Sequence, residues 1–400
     1  MGAVQLAPNR LAYQYRSLSK MDAMQREGVS CRRPRYGSRR RVVRRCPTVL
    51  HPLLLTAALS GCASPAGQSQ DLVHLEPLAS ADLSNLGAVV DVAVDEAGHI
   101  FILDAHLPGV VVLDSTLIPL TTFGGRGSDL GQFSEPVSVE VLSKGRIAVL
   151  DRALRRVTII AVQEGARALE ARYTLQIDGP SEDFCSWSDS SLIVYGLSGG
   201  YRLHIYGLDG SRLHSLAPPA TDLSAMAASL LTVGRIACNP SSDEVILSSK
   251  FQPTIEVFNV SSGVRVALDT LSPYRALTIY DRGDEVSISS GPAGHSAVSN
   301  VFDIGAYRIV QTTYNARRDG ANVDTVVTYV YSKSSSAWLP AQTALPLIFG
   351  FSEGVVFSIR PDHRGQARAG LKRIRIREVI GSRSPAVDSS LQREKGGRGP

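Results

Sequence analysis

The 400-residue chain contains no uninterrupted apolar run of the roughly 20 residues that a membrane-spanning helix needs. Its longest apolar stretch near the N-terminus, Leu53–Leu59, is too short and follows Pro52. Eight histidines are scattered without the His-x-x-x-His spacing that places two metal ligands on one helix face, so no metal and no other cofactor is expected from spacing alone. No catalytic set is expected either, nucleophilic serine included. The glycine-rich run Gly124–Gly127 leads into a strand pattern, which removes the helix N-terminus required by a phosphate-binding loop.

The alkaline balance of the whole chain is uneven. Twelve Lys or Arg against two Asp or Glu precede Cys62, leaving thirty basic and thirty-five acidic residues after it. A nucleic-acid-binding role therefore loses its electrostatic support once the N-terminal segment is set aside, and no nucleic-acid partner is expected. Arg39–Arg45 followed by Leu53–Leu59 has the order of a secretory signal, a cationic region and then a short apolar one. The run ends Leu59-Ser60-Gly61-Cys62, which resembles the lipobox of bacterial lipoproteins. The resemblance implies a diacylglycerol on Cys62, cleavage before it, and a membrane attachment made through lipid. Ala63 in place of Asp implies the outer membrane, facing the periplasm, if the organism has two membranes. The expected divisions are residues 1–40 disordered or a mis-assigned start, 41–61 signal peptide, 62–70 tether, 71–380 folded domain and 381–400 a disordered tail.

Of five cysteines, Cys31 and Cys46 go with the leader and Cys62 takes the lipid, leaving Cys185 and Cys238. An exported compartment permits a disulfide between them. The alternative is two small buried hydrophobes, and the separation expected between inner strands of neighbouring repeats favours it.

The domain is repetitive. Gly98–Asp104 (Gly-His-Ile-Phe-Ile-Leu-Asp) is matched 47 positions later by Gly145–Asp151 (Gly-Arg-Ile-Ala-Val-Leu-Asp), and Val110–Val112 by Val157–Ile159 without a gap. Each unit reads as four short β-branched strands bounded by Gly, Pro and Asp, and such a period in an all-β pattern signals propeller blades. Phe123–Pro136, with its Gly-rich turn, Gly-Gln-Phe and a Pro opening the next strand, is similar to the NHL-type repeat. The resemblance implies an all-β propeller of six four-stranded blades, with seven also compatible with the rhythm. A fifth unit would gather Leu277–Tyr280, Glu285–Ile288 and Tyr307–Thr312, and a sixth Val326–Tyr331, Leu347–Gly350, Val355–Ile359 and the Ile374 and Ile376 strand. Leu72–Leu75 would close the ring by pairing with the last blade.

Candidate residues follow from that architecture. Asp104 and Asp151 occupy equivalent positions, so they are expected to hold loop amides, with Gly124 and Gly125 supplying φ > 0 in the crossing between blades. Trp187, Tyr195, Tyr201 and Tyr206 lie close in sequence and would form a ligand surface if they faced one end of the ring. The function expected is that of a non-enzymatic envelope scaffold binding a protein, peptide or glycan. The rival is a metal-assisted hydrolase or lyase whose site is assembled at the axial funnel from several blades.

Overall fold

Alternation of β-branched residues with turn residues leaves these segments one stable outlet, the antiparallel meander, and a computed structural model shows a succession of them. It describes residues 73–376 apart from 83–85, 87–88, 220–222, 284, 291–293, 319–320, 344, 353–354 and 362–366. The leader, the lipobox residues Leu59, Ser60, Gly61 and Cys62, the tether and the C-terminal tail lie outside the described residues.

After β1 (Val73–Asp82), the first blade comprises β2 (Val89–Val94), β3 (Ile100–Asp104), β4 (Gly109–Leu113) and β5 (Pro119–Gly124). The second comprises β6 (Pro136–Leu142), β7 (Arg146–Asp151), β8 (Arg156–Val162) and β9 (Leu169–Gln176). The third comprises β10 (Asp183–Ser188), β11 (Ser191–Ser198), β12 (Tyr201–Gly207) and β13 (Arg212–Leu216). A short helix, α1 (Ala225–Leu231), precedes the fourth: β14 (Gly234–Asn239), β15 (Glu244–Ser249), β16 (Thr254–Asn259) and β17 (Arg265–Thr270). A separate two-stranded ribbon, β18 (Thr278–Asp281) with β19 (Val286–Ser289), comes next. The fifth blade is β20 (Ser296–Ile304), β21 (Tyr307–Arg318), β22 (Ala321–Ser332) and β23 (Ala337–Trp338).

The chain thus supplies five uninterrupted four-stranded blades, not the six expected. Two expected units are redrawn. Leu277–Tyr280 and Glu285–Ile288 belong to the ribbon instead of a blade, and Val326–Tyr331 is the third strand of the fifth blade. What remains, β24 (Leu347–Ser352), β25 (Val355–Pro361) and β26 (Ala367–Ile376), forms a composite sheet completed by β1 in the order β1-β26-β25-β24. The antiparallel register runs Val73 opposite Ile376 to Asp82 opposite Arg368, with a bulge between Pro77 and Ala79. This sheet lies between the first and fifth blades, β24 against both β2 and β20, and β1 covers the edge that β26 would otherwise expose.

The core is divided among the seams between blades. Phe101, Leu103, Val110 and Val112 of the first blade meet Val139, Ile147, Val149 and Ile160 of the second. Ile193, Tyr195 and Leu203 of the third meet Val245, Leu247 and Phe258 of the fourth. Each such side chain, fully buried, stabilises by roughly 1.5–3 kcal/mol. The crossing from β5 to β6 turns on Gly124 and Gly125, at φ +113° and +145°. A Cβ on Gly124 would also lie 2.9 Å from Gly109 Cα and from the buried Phe133 ring. No helix among the described residues is long and apolar enough to cross a membrane.

Candidate functional site

The inner strands β2, β6, β10, β14, β20 and β24 present one unpaired edge toward a common cavity of about 230 Å³. Edge amides need acceptors, and acidic side chains on the inner strands supply them across the seams. Asp91 on β2 accepts hydrogen bonds from Val139 N and Ser138 Oγ on β6, both at 2.9 Å. Asp183 on β10 accepts one from Ile236 N on β14 at 2.9 Å.

Both carboxylates converge on Arg235 of β14. Its Nη1 lies 3.5 Å from Asp183 Oδ1 and 4.0 Å from Asp91 Oδ2. Its Nη2 donates to Val90 O at 3.2 Å and its Nε to Ser299 O at 3.3 Å. One guanidinium therefore ties β14 to β2, β10 and the start of β20, a use suited to its five fixed donors. Burial by itself would lower the Arg235 pKa, but Asp183, Asp91 and Glu182 outweigh it and hold the group charged.

The acids are not fully compensated. Burial pushes Asp91 up to about 6 against the pull of Arg235, with Asp183 adding to the rise. Glu140 on β6 is raised further, to about 8, by burial first and then by Asp91 and Asp183; a hydrogen bond with the Ser186 backbone opposes the rise. At neutral pH Glu140 is thus a mostly protonated acid lining the cavity.

Cys185 and Cys238 also line this cavity. They form a disulfide, with Cα atoms 5.8 Å apart, joining β10 to β14. The expectation that neighbouring inner strands stand too far apart is corrected: near the axis the blades converge like wedges, and residues facing one seam come within bridging range.

A second set of charges lies outside the residues that line the cavity. Arg152, after β7, contacts Glu135 and reaches Glu182 at 2.8 Å. Lys250, after β15, has its Nζ 5.7 Å from the centre of the Phe251 ring, whose other neighbour is the His295 ring at 6.1 Å.

The aromatic surface expected from Trp187, Tyr195, Tyr201 and Tyr206 is not assembled. Tyr195 and Tyr206 are fully buried in two different seams, and Trp187 packs partly buried on the same seam as Tyr195. Tyr201 is exposed, at the opposite end of β12 from Tyr206. Alternation along a strand sends neighbours to opposite faces, so closeness in sequence did not become closeness in space.

Asp151 is buried and accepts from Leu154 N at 2.9 Å, as well as from Ser134 N at 2.6 Å across the preceding crossing. Asp104 accepts from His106 N at 2.8 Å.

The histidines serve separate local bonds. His99 pairs with Asp95 at 2.9 Å, and His204, buried in the third blade, contacts Ser215 Oγ and Gly196 O. Among the described residues no group of three or more His, Cys, Asp or Glu is arranged to hold a metal ion.

Gly196-Leu197-Ser198-Gly199-Gly200 spells the letters of a nucleophile elbow. It lies at the hairpin between β11 and β12, with Ser198 opposite Tyr201, instead of between a strand and a helix.

No family model matches the chain, and no curated protein matches it. Among solved structures it is similar to a protein of Bacteroides fragilis described as exported, at 12% identity and TM-score 0.49, covering 78% of this chain and 97% of that one. It is also similar to BamB from Moraxella catarrhalis, at 11% identity and TM-score 0.42 over 75% and 100% of the two chains. A streptogramin B lyase structure is similar at 9% identity and TM-score 0.41 over 76% and 97%. The architecture itself, radial four-stranded antiparallel meanders around a common cavity, identifies the chain as an all-β propeller.

Proposed function

We propose that this propeller is an exported scaffold that binds a protein or peptide partner at the cell envelope, held to the membrane by diacylglycerol on Cys62, with the composite sheet as its sixth, closing blade. The observation that carries the binding reading is the Arg235 junction. There a largely buried polar cluster holds blades together, and its cation position is already filled by a guanidinium. A scaffold needs that rigidity, whereas a hydrolase would need an open electrophile site there. The Cys185–Cys238 disulfide supports export, since such bonds persist in oxidising compartments.

Affinity capture of the mature domain from cross-linked envelopes, with metal analysis on the same sample, tests this. A reproducible partner without bound metal is expected. Stoichiometric metal and no partner would instead favour the hydrolase or lyase reading. For the anchor, Cys62→Ser is expected to release the protein from membranes or leave an uncut precursor. Unchanged fractionation would refute it.

A further inference from the structure

Among the described residues, Lys250, which follows β15, is a cation with no carboxylate paired to it. Its backbone is fixed on three sides: its N–H donates to Val233 O at 2.7 Å, and its carbonyl accepts from Val298 N at 2.8 Å and Tyr274 Oη at 3.1 Å. The side chain is thereby held where the fourth and fifth blades meet. Its ammonium rests over the Phe251 ring and, among the described residues, no carboxylate lies within ion-pairing distance.

The acids nearby are already engaged: Glu182 attracts Lys250 but is held by Arg152 at 2.8 Å, and Asp183 is held by Arg235. Burial lowers the Lys250 pKa, and Arg235 and Arg152 lower it further by repulsion. Beyond Phe251, burial and then Lys250 lower the pKa of the half-buried His295. Lys250 is half-buried, and a partly desolvated charge without a partner is a cost that a bound counter-ion removes.

We propose that Lys250 is a receptor for a carboxylate on an acidic peptide segment of the partner. This rests on the binding reading above and names the chemistry it recognises. A peptide is favoured over an acidic glycan because sugars stack on open aromatic faces, and those here are covered. Phe251 is only 8% exposed between Lys250 and His295, and the Arg275 guanidinium lies 4.3 Å over Tyr314. A guanidinium fork would add bidentate pairing to a phosphate, and the Arg235 fork is engaged.

The experiment uses the mature protein and an acetyl-capped pentaglutamate peptide. Amine acetylation is mapped by mass spectrometry with and without the peptide, and binding is titrated for wild type, Lys250→Gln and Lys250→Arg. Expected are protection of Lys250 but not of Lys144 on its exposed turn, an affinity loss of about tenfold or more in Lys250→Gln, and partial retention in Lys250→Arg. Absence of protection in the wild-type protein would overturn the site without depending on the folding of any variant. Protection by oligogalacturonate or inorganic phosphate but not by the peptide would overturn the choice of ligand. Capture of one envelope partner equally by wild type and Lys250→Gln would overturn this inference and leave the scaffold reading standing; failure of the wild type to capture any partner would overturn that reading too.

Discussion

Replacing Arg235 with methionine keeps the stem and removes the charge that two buried carboxylates share. The side chains involved retain 19% exposure for Arg235, 15% for Asp91 and 7% for Asp183, so solvent screening is weak. Removing one partner of a buried pair destabilises by about 3–5 kcal/mol, because the remaining charge is left uncompensated. The hydrogen bonds to Val90 O and Ser299 O disappear with it. That loss is a large share of the 5–15 kcal/mol typical of a folded domain.

The loss must also depend on pH in a defined direction. Asp91 already has a folded pKa near 6 against 3.8 unfolded, so the folded state takes up a proton between those values and gains stability as pH falls through them. Without Arg235, which lowers that pKa, the window moves upward. The deficit of Arg235→Met is therefore largest at pH 7 and above and narrows toward pH 5. Urea denaturation at pH 5, 6, 7 and 8, followed by the fluorescence of Trp187 and Trp338, reads it directly. A deficit under 1 kcal/mol at pH 7, or one independent of pH, would refute the account of Arg235 as the charge that permits the two acids to be buried.

Three other outcomes follow from the same geometry. Glu140, raised from 4.5 to about 8, binds a proton on folding, so wild-type stability falls as pH rises from about 4.5 to 8. Glu140→Gln is expected to flatten that slope and be more stable by a few kcal/mol at pH 9 in chemical denaturation. The Cys185–Cys238 bond closes a loop at a sequence separation of 53, for which the chain-entropy relation gives roughly 4 kcal/mol. Cys185→Ser with Cys238→Ser should match the reduced wild type in its urea midpoint, below the oxidised protein. Gly234→Ala at the start of β14 would place a Cβ 1.9 Å from Ser248 O. It is expected to be poorly folded, whereas the exposed Gly283→Ala in the ribbon turn, with nothing within 4 Å, should be limited to the strain of its φ of +88° and fold normally by circular dichroism.

The first two blades were legible because their repeats are nearly exact. Gly98–Asp104 and Gly145–Asp151 fall on equivalent second strands, and the glycine turn between them has the positive φ expected of it. Later blades lost that legibility through insertions. The ribbon β18–β19 carries the alternation of a blade strand but pairs only with itself, and Asp281 on it accepts a hydrogen bond from Ser224 N, the residue capping α1, at 2.7 Å. Strand pattern reports a face to be buried, not which sheet will bury it. The axial cluster left a fainter trace. Asp91 in Val-Val-Asp-Val and Arg235 in Gly-Arg-Ile-Ala are charges inside apolar strands, a signal of burial with a partner, but nothing in the chain says that two residues so far apart in sequence would meet.

What the sequence determined by itself was local: strands where β-branched residues alternate, turns where glycine and aspartate recur, and a repeat length that forces blades. Only the tertiary structure decided which strands complete the last sheet, that Cys185 and Cys238 bond, that four nearby aromatics part company, and that Arg235 gathers Asp91 and Asp183 from two other blades. The physical reason is that a propeller brings its inner strands together by closing a ring. Every contact at the axis depends on the angle and position of all blades at once, which no stretch of the chain encodes on its own.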